Sequence, residues 1–425
     1  MTWPRPVPLR PRSPLLATYL LLSWFLPLLA GLLLRQRLSR GKEDSLRWRE
    51  KLGQPSVSRP DGPLIWCHAV GLGEVLALRG LIGVLAHLRP EASFLITSTA
   101  RSSARVLAAN LPPRTVHQFL PLDAPPYLGR FLAHWRPDLS IWAEQELWPG
   151  AVMAAATRAI PLAMVNARLS PAGHRRRRWL RGLYSPMLRS FALLSAQDDA
   201  SAGYLRDLGA PAVRVDGSLK PAAPPLQVDS AELRRLQALL AGRRVWLAAS
   251  THPGDEAEVI AAQRRLRGWL LILVPRDPSR AGAISAHLEA AALPAVWRSR
   301  GECPGPEHSV WLADSYGELG LWYRLAPLTL VGGGFDRIGG HNPWEPAALG
   351  AAVLHGPDVA NFTADYAMLH AADAARAVAP GELSVALQQP DLAAVAARAT
   401  DLVRQQQGRL TPLARDLAAL IQVVP

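Results

Sequence analysis

VGGGFDRIGGHNPWEPAALG, residues 331–350, decides how this chain is read. Ahead of it, the apolar run Pro327 to Val331 has the length of a buried strand. It breaks into Gly332, Gly333 and Gly334, then Gly339 and Gly340, then His341, Asn342 and Pro343. Pro343 fits the first turn of a helix, where its missing N–H costs nothing. Trp344 to Leu349 carry a helical apolar pattern. The expected element is a strand, a glycine loop and a helix start. Glycines let backbone N–H groups approach a ligand, and a helix start adds partial positive charge, so the loop suits a phosphate. Glu345 falls in the first turn, in reach of ribose hydroxyls. The plain alternative is a tight turn with a capped helix. Five glycines, a His-Asn pair and an acid in one loop favour a ligand site.

Outward from the loop, short apolar runs alternate with helical segments. Expected strands in the first half are Leu64–Ala69, Phe94–Thr97, Val116–Leu120, Leu139–Trp142, Leu162–Asn166, Ala192–Ala196 and Val213–Asp216. After a Pro-rich linker the pattern restarts with Val245–Ala249, Leu270–Val274, Val310–Leu312, Leu328–Val331 and Ala352–Leu354. Such alternation predicts βαβ units and parallel sheets. The fold class expected is α/β, with two Rossmann-like doubly wound domains and a cleft between them. The spacing divides the chain into an anchor at 1–42, a first domain at 43–220, a linker at 221–232, a second domain at 233–402 and a C-terminal helix at 403–425. A length of 425 residues suits two domains plus extras.

The charge balance is 47 Lys and Arg against 34 Asp and Glu, a net +13. That excess points to an anionic partner: nucleic acid, an acidic membrane surface or a phosphorylated substrate. Two cysteines, Cys67 and Cys303, with no CxxC, give neither a disulfide framework nor a zinc signature. Residues 15 to 34 carry no charge and have about the length needed to cross a bilayer. Arginines flank the segment and no small-x-small cleavage site follows, so a retained transmembrane helix is expected, with Pro27 kinking it. The denser positive charge lies after the segment, which predicts a cytoplasmic globular part. Residues 174 to 191 mix Arg175 to Arg178, Arg181 and Arg189 with Trp179, Leu180, Leu183, Tyr184 and Met187. This basic amphipathic stretch suits an anionic membrane surface; no nucleic-acid motif accompanies it.

Several strand ends carry chemistry-bearing residues. WCHAVGLGE, residues 66–74, ends a strand in His68, then turns through Gly71 and Gly73 into a helix opened by Glu74. Glu74 is either favourable capping electrostatics or a general base at the rim of a cleft. His68 taken alone reads as a strand-end polar residue rather than a catalyst. Glu144 and Glu146 end a very apolar strand and share one face by strand spacing. Buried acids are costly unless paired, so two there suggest a polar cleft. Arg168 ends the next strand and suits an acid or an anion. In the second half Ser250-Thr251-His252, Pro275-Arg276-Asp277 and Ser315 to Glu318 each follow a strand. With the glycine loop they ring one nucleotide-sized crevice.

Together these segments resemble the Kdo (3-deoxy-D-manno-octulosonic acid) transferases of lipopolysaccharide synthesis. The resemblance runs from about Glu43 to Phe362. It is carried by REKLG (49–53), HAVGLGE (68–74), EQELWP (144–149), NARLS (166–170), GSLK (217–220), ASTHPGDE (249–256), LVPRDPSR (273–280), GEL (317–319), GGHNPWEPA (339–347) and GPDVANF (356–362). It implies a membrane-anchored GT-B glycosyltransferase of the inner membrane that moves Kdo from CMP-Kdo to lipid A precursor, inverting the anomeric centre. It implies Glu74 as general base, with His68, Gly73, Glu144, Glu146 and Arg168 on the acceptor side. Pro275, Arg276, Gly317, Glu318, Leu319, Gly339, Gly340, Asn342 and Glu345 would hold CMP. It implies neither cofactor nor metal, and partners limited to CMP-Kdo, the lipid acceptor and an anionic membrane surface, without nucleic acid. The chain departs from the family at Gly71-Leu72, where Ser-Val is usual, at Asp277 for His, Ser279 for Glu, Ser218 for Asn, and Trp344 for Leu. Two other readings stay open: a GT-B transferase using a UDP-sugar on a membrane lipid, and a catalytically impaired, membrane-tethered lipid-binding protein.

Overall fold

The computed structural model describes residues 13–70, 72–99, 101, 104, 111–144 and 147–421. These form two compact units. One comprises the chain up to Ala223 together with the segment from Gln407; the other is Pro224–Gln406.

The first unit is built on one parallel sheet of seven strands: β1 (Leu64–His68), β2 (Ser93–Ser98), β3 (Thr115–Phe119), β4 (Leu139–Ala143), β5 (Leu162–Ala167), β6 (Leu193–Ala196) and β7 (Arg214–Val215). Their spatial order is β3-β2-β1-β4-β5-β6-β7. The order reverses direction between β1 and β4, which pair directly, with His68 opposite Trp142. All five residues of β1 and of β4 are buried, as a sheet covered on both faces requires. One face is packed by Trp66, Phe131, Trp135 and Trp142. The other is packed by α3 (Leu72–Leu88) and by the helix Leu410–Ala419, which lays Leu413, Ala414 and Leu417 against Leu78, Leu81, Ile82 and Leu85.

The second unit repeats the architecture with β8 (Arg244–Thr251), β9 (Trp269–Pro275), β10 (Ala295–Trp297), β11 (Val310–Leu312), β12 (Leu328–Val331), β13 (Ala352–His355) and β14 (Ala375–Ala377). Their order is β10-β11-β9-β8-β12-β13-β14, all parallel. Here the reversal falls between β8 and β12. The twelve expected strands are present within one or two residues; β10 and β14 were not expected. Each is a three-residue strand at a sheet edge, too short to carry a hydrophobic period.

The apolar N-terminal segment is not one helix. It forms α1 (Pro14–Ser23) and α2 (Leu26–Ser39), bent by 60°. No single helix among the described residues is long and apolar enough to cross a membrane. Pro27 explains the break: it has no N–H for the carbonyl four residues back, and its ring clashes with that carbonyl. Leu16 of α1 joins the core of the first unit, and the Tyr19 hydroxyl donates to Asp123 Oδ2 at 2.7 Å. Ala30 of α2 packs on Ala124 and Tyr127. The segment 403–425, expected as a separate helix, is split: the helix Leu392–Gly408 begins in the second unit, and Leu410–Ala419 packs in the first.

Candidate functional site

In open parallel sheets, ligands sit beyond the carboxyl ends of the strands where the order reverses. The most chemically loaded residues of each unit fall at that position.

In the first unit, Glu74 opens α3 just after β1, and Glu144 directly follows β4. The two carboxyl groups are hydrogen-bonded to each other. Glu74 Oε2 also accepts the Val70 N–H at 2.8 Å. Glu144 has φ +59°, the left-handed region that a side chain enters at a cost of roughly 1 kcal/mol or more. Its own N–H donates to Val165 O at 3.0 Å, which fixes the turn. Asn166, also left-handed at φ +58°, sits where β5 slips register against β6. Its Nδ2 donates towards Glu144 Oε1 at 3.5 Å, and its Oδ1 accepts Leu219 N at 2.9 Å. That second bond draws residues 219–220 to the site.

Burial pushes the Glu144 carboxyl from the ordinary carboxylate range up to about 7; the charge and hydrogen bond of Glu74 push the same way, while Lys220 and Arg168 pull it back. Two adjacent carboxylates cannot both ionise cheaply, so Glu144 keeps its proton to a higher pH than a solvated glutamate would. Lys220 is the residue that sequence reading noticed only as part of GSLK. Its signal was its own segment, brought in by the Asn166 bond.

His68 lies beneath this pair rather than in it. It is fully buried, with Nδ1 2.9 Å from Thr97 Oγ1 and its ring edge-on to Trp142 at 4.9 Å. Burial lowers its pKa to about 3, so it is a neutral core histidine. Gly73 lies in the first turn of α3. Arg168 follows β5 directly and acts on Glu144. Glu146 and Gly71 lie outside the described residues.

In the second unit the glycine loop leaves β12 as expected and is held from below by Asp255. That buried carboxylate accepts Gly333 N at 2.6 Å, Phe335 N at 3.0 Å and His252 N at 2.9 Å. Gly332 admits no side chain, because a Cβ there would lie 2.5 Å from Ser250 O. Gly339 and Gly340 have φ +89° and +73°, and Gly340 N donates to Gly333 O at 3.0 Å. His341 Nε2 meets His252 Nε2 at 2.9 Å with the rings stacked. Burial, His252 and Arg276 together lower His341 to about 4.

Asn342 organises the helix start: Oδ1 accepts Trp344 N at 3.1 Å and Nδ2 donates to Glu345 Oε1 at 3.2 Å. Burial raises Glu345, against the pull of Asn342 and Arg276. Pro275 ends β9, and exposed Arg276 follows it with its N–H on Thr251 O at 3.0 Å. Arg276 acts on both His341 and Glu345, so these three residues form one group. Gly317 is left-handed at φ +91°; Glu318 precedes the helix that Leu319 opens, and is engaged by Arg298 at 2.6 Å.

The departures find local explanations. Asp277 is exposed and caps the following turn through Ser279 N at 3.0 Å, while Arg280 pairs with Glu256 at 2.6 Å. The larger indole of Trp344 is buried and donates to Asp365 Oδ1 at 2.7 Å.

Two parallel sheets, each loaded at its point of reversal, define the GT-B type of sugar-handling enzyme. A solved UDP-GlcNAc 2-epimerase from Neisseria meningitidis bound to UDP-GlcNAc has the same fold: TM-score 0.56 at 12% identity, covering 84% of this chain and 99% of that one. Residues 46–223 match the family model for 3-deoxy-D-manno-octulosonic-acid transferase. A probable mitochondrial 3-deoxy-D-manno-octulosonic acid transferase from Arabidopsis thaliana is 35% identical over 81% of this chain and 80% of its own length. The 3-deoxy-D-manno-octulosonic acid transferase of Rickettsia bellii is 32% identical over 81% and 83%. The chain belongs to the Kdo transferase family of glycosyltransferases.

Proposed function

We propose that this protein transfers Kdo from CMP-Kdo to a lipid A precursor, without a metal, and that Glu74 is its general base. The observation that carries the reading is the Glu74–Glu144 carboxyl pair at the reversal point of the first sheet. Glu144, its pKa raised, can donate its hydroxyl to Glu74, and Glu74 Oε2 also accepts the Val70 N–H, so both hold Glu74 in place as the base. It takes the proton of an acceptor hydroxyl as that oxygen bonds to the anomeric carbon. The carbon–oxygen bond to CMP breaks on the opposite face, inverting the centre, and the electron pair leaves with the CMP phosphate. Arg276 and the N–H groups of the glycine loop meet that developing charge.

The acceptor is taken to be membrane-borne, and the first unit supports this. Leu21, Leu22, Trp24, Phe25, Leu28 and Leu32 of the bent pair are exposed, Leu28 at 79%. Trp179 is 90% exposed within an arginine run on the helix pair Pro171–Arg178 and Arg181–Leu188, and α1 packs on the second of these. Because α1 is tied to the domain by Leu16 and Tyr19, the reading favoured is attachment in the plane of the cytoplasmic leaflet of the inner membrane.

Purified protein incubated with CMP-Kdo and a tetraacylated lipid A precursor should give a product heavier by one or more Kdo residues. Absence of that product overturns the proposal. CMP, and not UDP, should raise the melting temperature.

A further inference from the structure

A cavity of about 710 Å³ opens at the amino ends of β8, β9 and β12. The glycine loop and Arg276 follow the carboxyl ends of the same strands. The eight residues of β8 separate the two ends by roughly 23 Å at about 3.3 Å per residue, so the cavity is no part of the nucleotide crevice.

Its lining includes Arg243, Arg244 and Arg324 and no acidic residue. Arg243 donates to the carbonyls of Gly305 at 3.0 Å and His308 at 2.6 Å. Arg324 donates to those of Leu226 at 2.9 Å and Gly320 at 2.7 Å. Arg244 lies over the Trp269 ring, 5.6 Å from its centroid. Carbonyls orient a guanidinium without cancelling its charge. Burial accordingly lowers the pKa of Arg243 and of Arg324; Glu307 alone offsets this for Arg243. Beside the cations, Trp269, Leu328 and Leu392 give an apolar wall. The volume lies in the range of small-molecule sites.

We propose that this cavity binds a small organic phosphate: an aromatic or apolar body on the Trp269 side, and a phosphoryl group among the three arginines. Three cations, two of them held by carbonyls, with no carboxylate in the lining, select an anion; guanidinium forks match phosphoryl oxygens, and the indole accepts a flat body.

The test is calorimetric titration of phenyl phosphate into the full-length protein saturated with CMP, with inorganic phosphate and phenol as controls. Phenyl phosphate should bind one to one with CMP present, more tightly than either control. Arg244→Glu should weaken it by about tenfold or more, the loss of a charge-assisted hydrogen bond. Arg244 is exposed, so this variant should keep the wild-type melting temperature and CMP affinity. Arg244→Lys should fall between the two. No binding in the presence of CMP, displacement by CMP, or equal affinity in Arg244→Glu would each overturn the proposal.

Discussion

Glu144 shows how much one side chain takes from its surroundings. An ordinary glutamate is ionised well below neutrality; this one is raised to about 7 by burial and by Glu74. The folded protein therefore keeps a proton that the unfolded chain has released between about pH 4.5 and 7. Stability falls as pH rises through that window, since the native state is then the one binding more protons. Glu144→Gln should flatten this dependence, seen as a smaller drop in melting temperature between about pH 5 and about pH 8. The wild-type kcat/KM should decline above neutrality as Glu144 ionises, and the same variant, which mimics the protonated acid, should lose that decline; an unchanged profile removes Glu144 from the proposed role. Glu74→Gln should lower kcat by about 10² to 10⁴ while CMP still protects against unfolding. Both glutamates were legible because each follows an apolar strand and opens a turn. Lys220 was not: its place depends on a hydrogen bond from Asn166 to a residue 53 positions further on.

At the scale of elements, the glycine loop depends on a neighbour. Its conformation is set by Asp255, on the helix after β8, which ties Gly333 and Phe335 to His252. Asp255→Ala leaves those N–H groups without their acceptor. It should cost about 1–3 kcal/mol, read as a lower denaturation midpoint, and should abolish protection by CMP. Gly339→Ala should weaken CMP binding through the loop itself, since its Cβ would lie 2.9 Å from Asn361 at a left-handed φ. Strand, glycine loop and helix start could be read directly from residues 327–349, because turn chemistry there is local. The clamp could not, because DE in ASTHPGDE reads equally well as a helix-opening pair. The kink at Pro27 was also legible, but not its degree. A bend of 60° depends on the docking of α1 through Leu16 and Tyr19, which hydropathy does not encode.

For the molecule as a whole, two doubly wound units followed from the repeated alternation of the sequence and its restart after Pro221. Charge and exposed apolar side chains make a further expectation. The protein should sediment with vesicles containing anionic lipid and less with neutral ones, and salt should release it. Replacing Arg175 to Arg178 by glutamine should weaken the anionic preference, whereas Leu28→Ser with Phe25→Ser should weaken binding to both. Equal sedimentation of all variants would place attachment elsewhere. What the sequence concealed was the path of the chain after residue 390: a helical pattern says nothing about which sheet its apolar stripe covers.

That path bears on synthesis. Leu413, Ala414 and Leu417 cover the side of α3 that bears Leu78, Leu81 and Leu85, and Glu74 stands in the first turn of α3. A nascent polypeptide paused anywhere short of residue 421 thus holds its earlier-made half with a bare greasy flank. The ribosome must deliver the second unit before the first can close, so a front half expressed alone would need residues 407–421 supplied in trans to behave as a soluble body.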